Sequence, residues 1–191
     1  MPFQLSPFVF RPVLAAAGAV AIAVISACAS APKMAIFSQD ALPEAVKVPA
    51  GFRVALETVG VGRITYECRA KKDMAGQFEW VFVGPDAALQ SRAGDVIGKY
   101  YGPPASWEGL DGSKITGAQL AVSPAAAGNI PLQLVKANAA TGANGAMTGI
   151  AYVQRVATQG GTAPAKACDS TSAGQKEIVN YRADYIFWKA A

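Results

Sequence analysis

Residues 178–188 read IVNYRADYIFW and set Val179, Tyr181, Ala183, Tyr185 and Phe187 against Asn180, Arg182 and Asp184. A period of two held over that length places one row of side chains in a core and the other in water. The same period recurs back along the chain. Phe52, Val54, Leu56 and Thr58 alternate with Arg53, Ala55 and Glu57, and Ile64, Tyr66 and Cys68 alternate with Arg63, Thr65, Glu67 and Arg69. FEWVFV (78–83) puts Phe78, Trp80 and Phe82 on one side, IPLQLVKA (130–137) groups Ile130, Leu132 and Leu134, and GIAYVQRVA (149–157) groups Ile150, Tyr152 and Val156. Arg155 then reads as a surface or cross-strand partner on the polar face opposite Tyr152. Between the runs lie clusters of breakers: GVG (60–62), GPD (84–86), RAGD (92–95), YGPP (101–104), LDGS (110–113), SPAAAGN (123–129), TGANG (141–145) and TQGGTAP (158–164). Short strands, frequent turns and no sustained helical period predict an all-β fold over residues 44–191, a single-domain antiparallel sandwich or barrel of about eight strands with long loops. Only PDAALQSR (85–92) reads as a brief helix of one or two turns.

A chain of 191 residues supplies one core, and 52% hydrophobic against 16% charged residues excludes a disordered chain. Part of the apolar share belongs to a leader. One basic residue, Arg11, precedes an apolar segment from Val13 to Ile25, shorter than the ~20 residues a membrane-spanning helix needs, so residues 1–27 read as a signal peptide. Ile25-Ser26-Ala27-Cys28 resembles the bacterial lipobox. That resemblance implies diacylglyceryl transfer to the Cys28 thiol, cleavage before it and acylation of the new N-terminus. Three acyl chains exceed the two signals that stable anchoring takes, making residues 28–43 a lipidated N-terminus and tether. Ala29 stands at the second mature position, where an aspartate is absent, as in lipoproteins passed to the outer membrane. The expected location is the periplasmic side of that membrane. The alternative is an ordinary signal peptide cut after Ala27 or Ala29, and a secreted protein.

The chain has three cysteines, an odd number that exported proteins seldom leave unexplained. Lipidation of Cys28 supplies the explanation and leaves Cys68 and Cys168 free to form a disulfide in an oxidising compartment. The alternative is two buried free thiols. Net charge is +4 and falls to +3 when Arg11 leaves with the leader, with Lys71-Lys72 the only basic pair. Scattered charge of that size does not predict a nucleic-acid partner.

The ordered series Leu42-Pro43, Tyr66-Glu67-Cys68, Trp80-Val81-Phe82 with Gly84-Pro85, Gly102-Pro103 leading to Trp107, Asp111-Gly112-Ser113, Tyr152-Val153-Gln154-Arg155, Gly160-Gly161 with Ala163-Pro164, Cys168-Asp169 and the closing Tyr181–Phe187 strand carries a resemblance. It is similar to the domain-of-unknown-function family numbered 3455, a family of exported bacterial and fungal proteins, over residues 42–188. The resemblance implies an exported domain with no established activity. Members often carry a histidine before the Tyr-x-Gly-Pro segment and a tryptophan after Ile-Pro; here those places hold Lys99 and Leu132. Some fungal relatives bear a dehydrogenase label, which the residues do not support. Gly60-Val61-Gly62 runs to Thr65 where the third glycine of a dinucleotide fingerprint belongs, and no P-loop is present.

The chain contains no histidine, which excludes Ser-His-Asp and Cys-His hydrolysis, His-ligated catalytic zinc and the usual proton shuttle near neutral pH. Asp-Gly-Ser offers one carboxylate where a calcium loop wants several, so neither metal nor cofactor is expected. What survives is carboxylate chemistry and binding, and both point to YYGPPASWEGLDGS (100–113). Tyr100, Tyr101 and Trp107 are candidates to stack on a ligand, with Glu108, Asp111 and Ser113 hydrogen-bonding it. The same segment reads first as a turn between strands and only second as a contact surface, with Asp-Gly as a hairpin signal, Pro103-Pro104 blocking ladder pairing and Trp107 covering the core. The expected protein is a lipid-anchored cell-envelope domain that binds an envelope ligand or protein without catalysis, its membrane contact made through the lipid. The alternative is a saccharide hydrolase using Glu108 and Asp111 as acid and base, about 5 to 9.5 Å apart.

Overall fold

The computed structural model describes residues 37–191, so the expected signal peptide (1–27) and Cys28 lie outside the described residues. After a short 3-10 turn at Glu44–Val46 come β1 (Phe52–Ala70), β2 (Phe78–Gln90), β3 (Val96–Tyr101), β4 (Ser106–Gly109), β5 (Ser113–Ser123), β6 (Leu132–Ala137), β7 (Thr141–Gly142), β8 (Ile150–Gly160) and β9 (Lys176–Ala190). All pairings are antiparallel in the order β4-β3-β2-β1-β9-β8-β6-β5-β7, and a further β4–β5 pairing closes the sheet on itself. The two-residue β7 continues β6 along the same edge of β5, since Gly117 faces Ala137 and Lys114 faces Thr141. The all-β architecture is thus a closed but uneven ring, because β1 runs for 19 residues and β4 for four. Among the described residues no helix is long and apolar enough to cross a membrane.

One inward row explains how the ring closes. Across successive strands Tyr181 faces Gly62, Gly62 faces Ala87, Ala87 faces Tyr100, Tyr100 faces Trp107 and Trp107 faces Ile115. The smallest side chains sit on β1 and β2, and the largest rings fill the space they leave. One residue pair further along β1, a Cβ on Gly60 would run into the Tyr185 ring. The GVG cluster is therefore the middle of a strand, not a turn. PDAALQSR is also corrected: Pro85–Gln90 belongs to β2, with Ala87 and Leu89 buried in the interior. Two-sided ladder pairing and core burial override the local helical reading.

Bulges redistribute several residues that simple alternation puts together. The register of β1 on β9 shifts between Val54 and Leu56, so Phe52 and Val54 join an outer cluster while Leu56 packs on the interior. A shift between Ile150 and Tyr152 does the same in β8, turning Ile150 inward and Tyr152 outward. One extra residue exchanges the faces of everything beyond it. Leu132 and Leu134 likewise face the outer cluster, apart from Ile130.

That outer cluster lies beneath the strap formed by residues 37–48. Val46 and Val48 are buried against Leu134, Val156, Ile186 and Trp188, with Phe37 and Leu42 packed alongside, so ordered packing begins before the expected tether boundary at residue 43. Gln154 is fully buried in it: its Nε2 donates to the Val46 carbonyl (2.7 Å) and its Oε1 accepts from Trp188 Nε1 (2.8 Å). On the opposite half of the molecule Cys68 and Cys168 form a disulfide with Cα atoms 5.5 Å apart. It ties the segment after β8 to the end of β1, and Trp80 Nε1 holds the same segment by donating to the Lys166 carbonyl (2.9 Å). Closing a loop across a separation of 100 residues contributes up to ~4.7 kcal/mol on the chain-entropy view.

The inward row predicts that Gly62→Ala, whose new Cβ meets the backbone of Asp86 and Ala87, lowers stability by about 1–3 kcal/mol. In urea unfolding the midpoint should fall with its slope unchanged; an unmoved midpoint would show that the row is slack.

Candidate functional site

Strand alternation divides the segment 100–113 into three groups. Tyr100 and Trp107 are opposite one another on β3 and β4 and both point into the ring, with 6% and 1% of their surface exposed. Their rings stack at 4.8 Å and 22°, Tyr100 lies 4.9 Å from Tyr185, and Trp107 meets Phe187 edge-on at 6.4 Å. These two aromatics are core, and neither presents a face to a surface ligand. The turn between them carries two cis peptide bonds, Gly102-Pro103 and Pro103-Pro104.

Their immediate neighbours, Tyr101 and Glu108, take the outer face because successive strand residues point oppositely. Lys99, Glu108 and Lys114 stand in register across β3, β4 and β5. Tyr101 Oη donates to Glu108 Oε2 (2.8 Å), Lys99 Nζ pairs with Oε1 (3.2 Å), and Lys99 and Lys114 lie 5.3 and 5.2 Å from the Tyr101 ring centre. The Tyr101 hydrogen bond first, and then the Lys99 contact, hold the Glu108 carboxyl below its ordinary pKa.

Asp111 and Ser113 make the third group, a clasp between the β4–β5 turn and the loop before β8. Asp111 Oδ1 accepts from the Ser113 hydroxyl (2.6 Å) and Ser113 N–H (2.9 Å), and Oδ2 accepts from Ala146 N–H (2.7 Å). Ser113 Oγ in turn accepts from Met147 N–H at 3.0 Å. The Ser113 hydroxyl, then the two backbone donors, lower the Asp111 pKa. Both carboxylates of the segment are therefore held ionised by structural partners, whereas an acid catalyst requires one with a raised pKa.

Two concavities adjoin this segment and share Gly109 and Leu110. One, of about 230 Å³, opens into the ring between Leu56, Thr58, Leu89 and Met147. The other, of about 500 Å³, lies along β2–β4 and is bordered by Ala88, Val96, Lys99 and Glu108. Leu110 stands between them with 76% of its surface exposed. The sequence pattern did not mark Leu110 or Lys114, and it marked Lys99 only as a departure from the family pattern; the signal available for Leu110 was an apolar residue next to Asp-Gly in a turn. No group of three or more His, Cys, Asp and Glu residues able to hold a metal occurs among the described residues.

An all-β ring with an aromatic interior and apolar concavities beside one turn defines a class of architecture, not an activity. The family model described as Protein of unknown function (DUF3455) matches residues 49–189, and the chain belongs to that family. The match covers the ring except for the last residue of β9 and leaves out the strap. No curated protein and no solved structure matches the chain.

Because Asp111 has a lowered folded pKa, its contribution to stability is present above the ordinary aspartate value of 3.8 and is lost as pH falls through the folded value. Asp111→Asn should flatten that acid limb in a pH series of melting temperatures, and a limb unchanged by the substitution would contradict the clasp.

Proposed function

We propose that the chain is an exported cell-envelope protein, lipid-anchored through Cys28, whose ring binds a ligand or protein partner without catalysing its conversion. The observation that carries the binding role is the pair of adjoining concavities at Gly109–Leu110. Pockets lined chiefly by apolar groups with a few polar side chains at the edge are the usual form of a binding site, and barrel mouths are among the usual places. The contact surface is the segment 100–113 together with the adjoining Lys99, through Leu110 and Glu108 instead of its buried rings. A carboxylate hydrolase is the weaker reading, since Glu108 and Asp111 are each engaged elsewhere. The Cys68–Cys168 disulfide supports an oxidising compartment, and the strap leading back toward Cys28 gives the anchor a fixed point of attachment.

Mass spectrometry of protein extracted from membranes should show a triacylated Cys28 as the first residue; an unmodified chain starting elsewhere removes the anchor. In pull-downs from envelope extract, Leu110→Asp should cut retention of the bound component at least tenfold while leaving the melting temperature in place. Turnover of an envelope saccharide that disappears in Glu108→Gln would instead establish the hydrolase.

A further inference from the structure

The smaller of the two concavities at Leu110 differs from a surface groove. It lies at one end of the ring, where the β2–β3 hairpin, the β4–β5 turn and the loop before β8 meet over β1. Three of the side chains that line it, Thr58, Leu89 and Met147, are almost wholly withdrawn from water, and Leu56 is partly buried against the interior cluster. Its space of about 230 Å³ therefore reaches the packed core. Protein interiors leave few voids larger than a water molecule, so a space of this size against buried side chains calls for an explanation.

Polar clamps hold its walls apart from outside. In the β2–β3 turn, Arg92 donates to Glu57 (2.9 Å) and to Asp184 (2.6 Å), and Glu57 stands between the lining residues Leu56 and Thr58. On the other side Asp111 accepts from Ala146 N–H (2.7 Å) and Ser113 Oγ from Met147 N–H (3.0 Å), which fixes the loop before β8 to the β4–β5 turn. The clasp of Asp111 and Ser113 thus frames a cavity. With both sides fixed by hydrogen bonds, the space is preformed, as small-molecule sites usually are.

The lining also states what kind of guest fits. Leu56, Leu89, Ile97, Leu110 and Met147 present hydrocarbon and a thioether. The two polar side chains are already engaged: Thr58 Oγ1 donates to the Tyr185 carbonyl (3.5 Å), and both Asp111 oxygens accept from the clasp. No cation lines the cavity and its one carboxylate is occupied, so a charged group entering it would lose its water without gaining a partner. An apolar cavity of about 150 Å³ stays dry and takes up benzene, so this larger one accommodates about six to eight carbon atoms. We propose that the cavity is a binding site for an uncharged hydrocarbon group of that size, a short alkyl chain or a single ring, admitted past the exposed Leu110. This rests on the reading of the Leu110 concavities as the binding site, and it assigns the ligand class of the inner one.

Isothermal titration of the mature protein with 1-hexanol and, separately, with toluene tests this. Saturable binding with a negative heat-capacity change is expected in at least one arm, and the arm that responds distinguishes chain from ring. Hexanoate, which brings a charge to the same chain, should bind at least about tenfold more weakly than hexanol. Leu56→Trp fills the space from the β1 side and should abolish binding; should it fail to fold, Ala146→Trp at an exposed wall position replaces it. Absence of saturable heat in both arms, hexanoate binding as tightly as hexanol, or affinity unaltered in the folded variant overturns the proposal. Retention of an envelope component that Leu110→Asp removes, with no hydrocarbon binding, would overturn this inference alone and leave the binding role standing.

Discussion

Gly62 and Ala87 offer almost no side chain at the level of the ring where Tyr100 and Trp107 enter it, and the closed architecture depends on that match of small against large. The closing ladder is short: β4 meets β5 through three residue pairs, and β3 and β4 are six and four residues long. Stacked and edge-on contacts among Tyr100, Trp107, Tyr185 and Phe187 add to it by bracing β3 and β4 against β9 across the interior, at about 0.5–1.5 kcal/mol per aromatic pair beyond the area they bury. The short strands β3 and β4 are thus held from inside by rings whose space is provided by Ala87 and Gly62 on the neighbouring strands β2 and β1.

The two other restraints act at a distance from this seam. The disulfide fixes the long β1–β2 hairpin to the segment after β8, and the strap of residues 37–48 covers the outer face of β1, β6, β8 and β9. Arg92 joins these walls from outside by pairing with both Glu57 and Asp184, at 2.9 and 2.6 Å. Restraint is therefore concentrated on the half built from β1 and β9. The short-stranded half, with Leu110 at its turn, is left as the side that presents concavities.

Much of this was legible in the sequence. The alternation in residues 178–188 holds without interruption in β9, and oxidation of Cys68 with Cys168 follows from counting thiols in a chain read as exported. The departures have one main cause. A bulge adds a residue without any compositional mark, so Phe52 and Val54 separate from Leu56, and Ile150 from Tyr152, in runs that look continuous. Gly60 and Gly62 read as a break because a glycine that makes room for a ring on another strand is indistinguishable, locally, from one that makes a turn. The candidate site was legible as a place but not as a set. Tyr100 with Tyr101, and Trp107 with Glu108, are adjacent in sequence and so were bound to face opposite ways.

Closure of the ring rests most directly on Trp107 being an interior residue, and its indole N–H reports this without any substitution. Hydrogen exchange followed by nitrogen-15 NMR in heavy water should show the Trp107 indole signal persisting alongside the most protected backbone amides of β9, since both then need global opening to exchange. An indole that exchanges as fast as a solvent-exposed one would place Trp107 outside, and the ring could not be closed in the way described.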